Sequence, residues 1–73
     1  MMTTAKRIGN AVAGYRADAG LSLVLAGEMI GIDKTHLYKI ETGQVEAGIT
    51  TIVKIAKGYG VTLREVLERA GLI

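Results

Sequence analysis

Apolar residues recur along this chain at intervals of three and four positions, the spacing of one face of an α-helix. Alternation of apolar and polar residues with a period of two, which would indicate strands, is scarce. Glycines stand where the helical patterns stop, as is typical of the residue after a helix; they are Gly20, Gly31, Gly43, Gly60 and Gly71. The pattern therefore predicts an all-α fold of five short helices.

The predicted helices occupy residues 4–19, 22–30, 33–42, 49–59 and 62–70. Side-chain oxygens at four of the starts are expected to accept hydrogen bonds from first-turn amides; they belong to Thr4, Ser22, Asp33 and Thr62. Glu65 follows Thr62 at the spacing of a capping box. These caps place the helix starts independently of the apolar pattern.

The apolar positions also predict which side of each helix is buried. The inner face of the first helix is expected to hold Ile8, Val12, Tyr15 and Ala19. The fourth helix is apolar over a wide arc, from Ile49 to Tyr59, and is predicted to be the central, most buried helix. Gly9 and Gly14 each cost the first helix about 1 kcal/mol relative to Ala, which indicates close helix packing there.

The second and third helices have the features of a helix-turn-helix, over residues 22–42. Two short helices that cross steeply need a small residue at the crossing, and Gly27 supplies it. Gly31 allows the positive φ of a tight turn. Ile32, Leu37 and Ile40 are expected to fill the angle between the helices. On this spacing alone, an ordinary pair of packed helices remains the alternative.

The chain from Ile8 to about Leu67 resembles, without a gap, the Cro/C1-type (XRE-family) helix-turn-helix repressor domain. The matching residues are Arg16, Gly20-Leu21-Ser22, Gly31-Ile32, Ile40-Glu41, Gly43, Ile52-Val53-Lys54-Ile55-Ala56 and Gly60-Val61-Thr62. The resemblance implies one compact, lambda-repressor-like five-helix domain over residues 1–73. It also implies that the third helix enters the major groove of double-stranded DNA.

Carried over from the family, the segment that reads DNA is Asp33–Thr42, here called the reading segment. If Leu37 and Ile40 face the core, hydrogen-bonding and cationic side chains face away; the candidates are Asp33, Lys34, Thr35, His36, Tyr38, Lys39 and Thr42. Lys34 and Lys39 could donate to guanine, and Thr35 could contact a base. Ser22, Thr42 and Gln44 are candidates for phosphates. A merely solvated helix face is the alternative, and for His36 solvation and DNA contact are both open.

Arg16 and Glu41 resemble the ion pair that in this family joins the first helix to the reading helix. The implied role is structural. If the pair is buried, removal of one partner would cost roughly 3–5 kcal/mol because the other charge is stranded. If it is exposed, the cost would stay within about 1 kcal/mol.

The second helix departs from the family pattern. Leu23 stands where relatives usually carry a Gln that contacts phosphate, so weaker phosphate binding is expected on this side. Val24, Leu25 and Met29, here called the apolar patch, occupy positions that are usually polar. A contiguous exposed apolar surface usually marks a partner site, whereas scattered exposed apolar residues are normal. Both interpretations stay open.

A second candidate interface is the C-terminal surface, defined as Leu67, Ala70, Leu72 and Ile73. The last two residues are aliphatic and are expected to need cover from another surface. Family resemblance also favours dimerisation through the fifth helix. We therefore expect a homodimer through the C-terminal surface first, with the apolar patch as the second candidate.

Composition restricts the classes of function. With 73 residues, 49% of them hydrophobic, the chain is expected to form one domain that gains stability by association. The net charge of +2 is mildly compatible with a polyanionic partner. There is no cysteine and only one histidine, so no metal site and no cofactor are expected. No apolar run could span a bilayer, and no signal peptide is evident, which predicts a cytoplasmic protein that joins the nucleoid when bound to DNA.

Two hypotheses of different classes follow. The first is a homodimeric, sequence-specific repressor of the Cro type, which reads an inverted-repeat operator with half-sites about one helical turn apart. The second is a protein-interaction module, such as an antitoxin or regulator subunit, that binds a protein partner through the apolar patch. An enzyme is not expected, because the sequence offers no nucleophile, base and acid set.

Overall fold

In the computed structural model, which describes residues 1–73, the chain forms five α-helices and no strand. They are α1 (Thr4–Ala19), α2 (Leu23–Ile30), α3 (Lys34–Glu41), α4 (Ile49–Gly58) and α5 (Leu63–Arg69). The prediction of an all-α fold with five helices is confirmed. No start or end of a helix differs from its predicted position by more than one residue.

Side chains cap four of the five helices. Ser22 Oγ accepts from the Leu25 amide at 3.1 Å, and Asp33 Oδ2 accepts from the Thr35 amide at 2.9 Å. Thr62 forms a complete capping box at the start of α5. The cap of α1 is Thr3 rather than the predicted Thr4, because Thr3 is the residue with extended backbone angles and an accepting hydroxyl.

The five helices pack as a closed ring. The reading helix α3 packs on α1 and α2, α1 continues to α5, and α4 closes the ring between α5 and α2. The prediction that the fourth helix is central is wrong, because each helix has two main neighbours. Ile49, at the start of α4, is 61% exposed.

The core lies inside this ring. Its largest fully buried side chains are Leu37, Ile40, Ile55, Val12 and Val66. Ala19, predicted to be buried, is exposed. All the buried residues of α1 lie between Ile8 and Val12, so Ala19 is beyond the packed part of the helix.

Two helix crossings depend on the absence of a side chain. A Cβ on Gly9 would lie 2.7 Å from the carbonyl oxygen of Glu41, closer than real Cβ contacts come. A Cβ on Gly27 would lie at the same distance from the carbonyl oxygen of Ile32. The close packing expected at Gly9, and the small residue expected at the crossing of α2 and α3, are both present.

Candidate nucleic-acid interface

The turn between α2 and α3 fixes the start of the reading segment. Gly31 has φ 88°, a left-handed conformation that side chains rarely adopt, and its amide donates to the Gly27 carbonyl. Asp33 then caps α3. Leu37 and Ile40 are completely or almost completely buried, which fixes the rotation of α3 about its axis.

The face of α3 opposite Leu37 and Ile40 is open to solvent. Thr35, Tyr38, Lys39 and Thr42 recur at three- and four-residue spacing on this face. The first three are exposed and Thr42 is half-buried; Lys34 and His36, on the flanks, are exposed. The structure thus brings the candidate base contacts together on one accessible helix.

Several of the candidate polar groups already make hydrogen bonds within the protein. The caps use one acceptor each of Ser22 and Asp33, and the Ser22 hydroxyl keeps its proton for another partner. Thr42 Oγ1 donates to the Tyr38 carbonyl at 2.9 Å and accepts from Gln44 Nε2 at 2.8 Å. These bonds hold Thr42 and Gln44 in place at the end of α3.

A two-pronged ion pair connects α1 to α3. Arg16 Nε lies 2.8 Å from Glu41 Oε2, and Arg16 Nη2 lies 2.9 Å from Glu41 Oε1. The Glu41 side chain is 5% exposed and that of Arg16 is 26% exposed. The hydrogen bonds that the guanidinium donates to the Glu41 carboxylate raise the pKa of Arg16. Arg16 Nη1 also donates to the Leu21 carbonyl at 3.1 Å, so one guanidinium joins α1, the following turn and α3.

A second cluster, which sequence reasoning missed, joins α1, α4 and α5. The rings of Tyr15 and Tyr59 stack with centroids 5.9 Å apart. The guanidinium of Arg69 lies 4.5 Å from the centre of the Tyr15 ring, and its Nη1 donates to Asp18 at 2.7 Å. Gly14 leaves room for this guanidinium. No local sequence signal shows this cluster, because its members come from α1, α5 and the residue after α4.

The Tyr59 hydroxyl is buried and makes no hydrogen bond. Burial raises the pKa of Tyr59, and the negative charge of Glu41 raises it further. The hydroxyl thus lies close enough to the Arg16–Glu41 pair to be affected by both of its charges.

The apolar patch on α2 is exposed. Val24 and Met29 are each 46% exposed and Leu25 is 54% exposed. Leu23 is half-buried and packs against the core, so its side chain belongs to the rim of the fold. An open groove of about 370 Å³ runs beside Val24, between α2 and the start of α3.

The C-terminal surface differs from its prediction. Ala70 is 7% exposed and belongs to the core, so it is not available as an interface residue. Leu72 is half-buried and packs against that core, whereas Ile73 is 64% exposed. Leu67 is half-buried without joining the core. The apolar arc of the fourth helix, predicted to be the most buried, contains two residues outside the core, the exposed Ile49 and the half-buried Val53.

No group of three or more His, Cys, Asp or Glu side chains is placed to hold a metal ion. None of the five helices combines the length and the apolar character that a bilayer crossing requires.

Comparison with known proteins places this geometry among helix-turn-helix proteins. A sequence model described as "Helix-turn-helix" (HTH_3) matches residues 12–66. None of the curated proteins matches the sequence. The clp gene regulator ClgR from C. glutamicum is similar in structure, with a TM-score of 0.90 and 22% identity over 97% of this chain and 92% of that chain.

Two other solved structures share the fold. The restriction-modification controller protein C.AhdI from Aeromonas hydrophila has a TM-score of 0.80 and 24% identity, over 85% of this chain and 94% of that one. An HTH_3 family transcriptional regulator from Vibrio cholerae has a TM-score of 0.83 and 30% identity. That match covers 88% of this chain and 36% of the other.

Proposed function

This chain belongs to the helix-turn-helix family HTH_3, as its resemblance to the XRE group predicted, and we propose that it is a sequence-specific repressor of the Cro type. The family match and the shared fold support a DNA-binding transcriptional regulator. The proposal adds that the protein acts as a homodimer on an inverted-repeat operator. The observation that carries it is the exposed polar face of a rigidly held α3.

The reading segment would supply direct contacts to the bases. Lys34 and Lys39 carry ammonium groups that suit the O6 and N7 acceptors of guanine in the major groove. Thr35 can bond a base or contact a thymine methyl. Tyr38, half-exposed between them along the helix, is suited to contact the sugar–phosphate backbone. Base contacts of this kind need a helix that does not rotate, which burial of Leu37 and Ile40 provides.

Phosphate contacts would position that helix. Ser22, Thr42 and Gln44 lie at the ends of α2 and α3, where hydroxyl and amide groups can donate to phosphate oxygens. Leu23 packs on the core and offers no donor, so α2 contributes fewer such contacts than its place in the motif allows. The affinity would then depend more strongly on cations elsewhere on the protein.

Dimerisation would place two reading segments about one helical turn of DNA apart. Leu67, Leu72 and Ile73 are the part of the predicted C-terminal surface that remains accessible. Ile49 and Val53 are further accessible apolar residues, on α4, which packs against α5. A dimer bound across a promoter would repress by occupying the site.

Selection of bound sequences from a random duplex library, followed by titration of the selected operator, tests this proposal. We expect Lys34→Ala and Lys39→Ala to abolish operator binding while the circular dichroism spectrum stays unchanged. Lys57→Ala is the matched control, because Lys57 is exposed on α4, which packs on α2 and α5 rather than on α3. Wild-type affinity in both α3 variants would contradict the assignment of the reading segment.

A second candidate function is a protein-interaction module, for which DNA binding is secondary. The three exposed side chains of the apolar patch favour it, since a polar surface would be expected on α2 if that helix faced only water and phosphates. The partner would be a toxin or a larger regulator.

A further inference from the structure

Lys6 is a cation from outside the helix-turn-helix that lies at the end of the reading helix. It belongs to the first turn of α1 and is half-buried. A Cβ on Gly43 would lie 3.0 Å from Lys6 Cα and 3.1 Å from Lys6 Cδ. The aliphatic stem of Lys6 therefore lies against Gly43, two residues beyond the end of α3.

The ammonium group of Lys6 is unpaired. The two ion pairs in the structure use Arg16 and Arg69, and the one side-chain hydrogen bond of Lys6 is made by its backbone amide, which donates to Thr3 Oγ1. A lysine stem that packs on apolar or backbone surface while its charge stays in water is a common arrangement. Here the packing of the Lys6 stem on Gly43 restricts the positions that its ammonium group can occupy.

The surroundings of this charge are the segment that the proposed function places near phosphates. Gly43 lies between Thr42 and Gln44, which are hydrogen-bonded to each other. The first turn of α1 also borders the loop after α3, across a cavity of about 270 Å³ lined by Thr4, Ala5, Ile8, Glu46 and Ala47. Glu46 in this loop is exposed, and a nearby cation offsets the repulsion between its carboxylate and a phosphate.

We propose that Lys6 is a phosphate contact of the DNA interface, supplied by α1 at the C-terminal end of the reading helix. This inference rests on the proposed function. It also accounts for the loss of a donor at Leu23, because a cation on the α1 side replaces a contact missing on the α2 side. Each phosphate that a lysine neutralises releases condensed counterions from the duplex.

Titration of the selected operator at several salt concentrations tests the proposal. Lys6→Met keeps an unbranched stem against Gly43 and removes the charge, whereas Lys6→Arg keeps the charge. We expect Lys6→Met to flatten the slope of log affinity against log salt by about 0.9. Its affinity deficit should shrink roughly 3.5-fold between about 50 and 200 mM salt. Lys6→Arg should keep the wild-type slope, and Lys57→Met is the matched control.

A different result is expected if Lys6 only stabilises the C-terminal end of α3 through its charge. Lys6→Met would then lower the unfolding temperature and leave the salt slope equal to that of Lys57→Met, which would overturn the inference. The proposed function fails separately: wild-type protein without salt-dependent affinity for any duplex would overturn both proposals.

Discussion

The guanidinium of Arg16 engages both carboxylate oxygens of Glu41, and this contact joins α1 to the helix proposed to read DNA. Glu41 is the one charged residue in the buried set. A buried carboxylate is costly unless it is paired and hydrogen-bonded. The pair is therefore expected to affect the stability of the fold most when only one partner is removed.

Arg16→Met should destabilise the fold by about 3 kcal/mol, because it leaves the Glu41 carboxylate buried without its partner. The double variant Arg16→Met with Glu41→Leu should recover part of that loss, because no charge is then stranded. Urea unfolding of wild type, of the single variants Arg16→Met and Glu41→Leu and of the double variant completes a double-mutant cycle and measures both effects. A loss below about 1 kcal/mol for Arg16→Met would show that water solvates Glu41.

Gly9→Ala should be destabilising, although Ala favours a helix by about 1 kcal/mol over Gly. The new Cβ would meet backbone atoms of α3, which cannot move aside without opening the crossing. Overpacking of this kind costs about 1–3 kcal/mol. Gly14→Ala is the control on the same helix, because its Cβ meets only the flexible end of Arg69. If Gly9→Ala has a higher unfolding temperature than Gly14→Ala, the packing of α1 on α3 is looser than described.

Tyr59→Phe should not destabilise the protein at neutral pH, because the hydroxyl that it removes is buried without a partner. Such a group costs about 1–3 kcal/mol, so the variant is expected to be neutral or more stable. The pKa of Tyr59 is raised in the folded state, which therefore holds its proton more tightly than the unfolded chain. Titration of Tyr59 therefore costs no stability below about pH 10, the pKa of the unfolded chain. Above that pH the stability of the fold falls, as pH rises through the raised pKa of the folded state.

Unfolding followed from neutral pH to above the ordinary tyrosine pKa checks this expectation. Tyr59→Phe should lose less stability over that range than wild type. Tyr38→Phe is the control, since Tyr38 is 48% exposed. If wild type and Tyr59→Phe lose equal stability at alkaline pH, the hydroxyl reaches water or a polar partner in solution.

The sequence was sufficient to predict the helices but not all of the surfaces. Apolar spacing and caps are local, which is why five helices and the burial of Leu37 and Ile40 could be predicted. Whether Ile49 faces the core depends on how the ring closes, and spacing alone misplaced it. Contacts such as Arg69 with Asp18, 51 positions apart, have no local signature. Lys6 was missed for the same reason.

Ile73→Asp should weaken the proposed homodimer without lowering the stability of the monomer, because Ile73 is 64% exposed. Sedimentation at micromolar concentration should show a dimer for wild type and a monomer for the variant. Loss of the dimer should also lower the affinity for a palindromic operator, since the second half-site no longer binds intramolecularly. A half-site duplex is the control and should bind both proteins equally. A wild-type monomer would contradict the homodimer directly.

Leu25→Gln separates the two candidate functions. Leu25 is 54% exposed, so a polar replacement should change the free energy of unfolding by no more than about 0.5 kcal/mol. A neutral amide adds no negative charge near DNA, so operator affinity in vitro should equal that of wild type.

If the protein represses by DNA binding alone, a reporter controlled by its operator should also be repressed equally in cells. Loss of repression in cells with unchanged affinity in vitro would instead show that the apolar patch binds a protein partner. Ala17→Gln, at an exposed position on α1, is the control for an added surface amide.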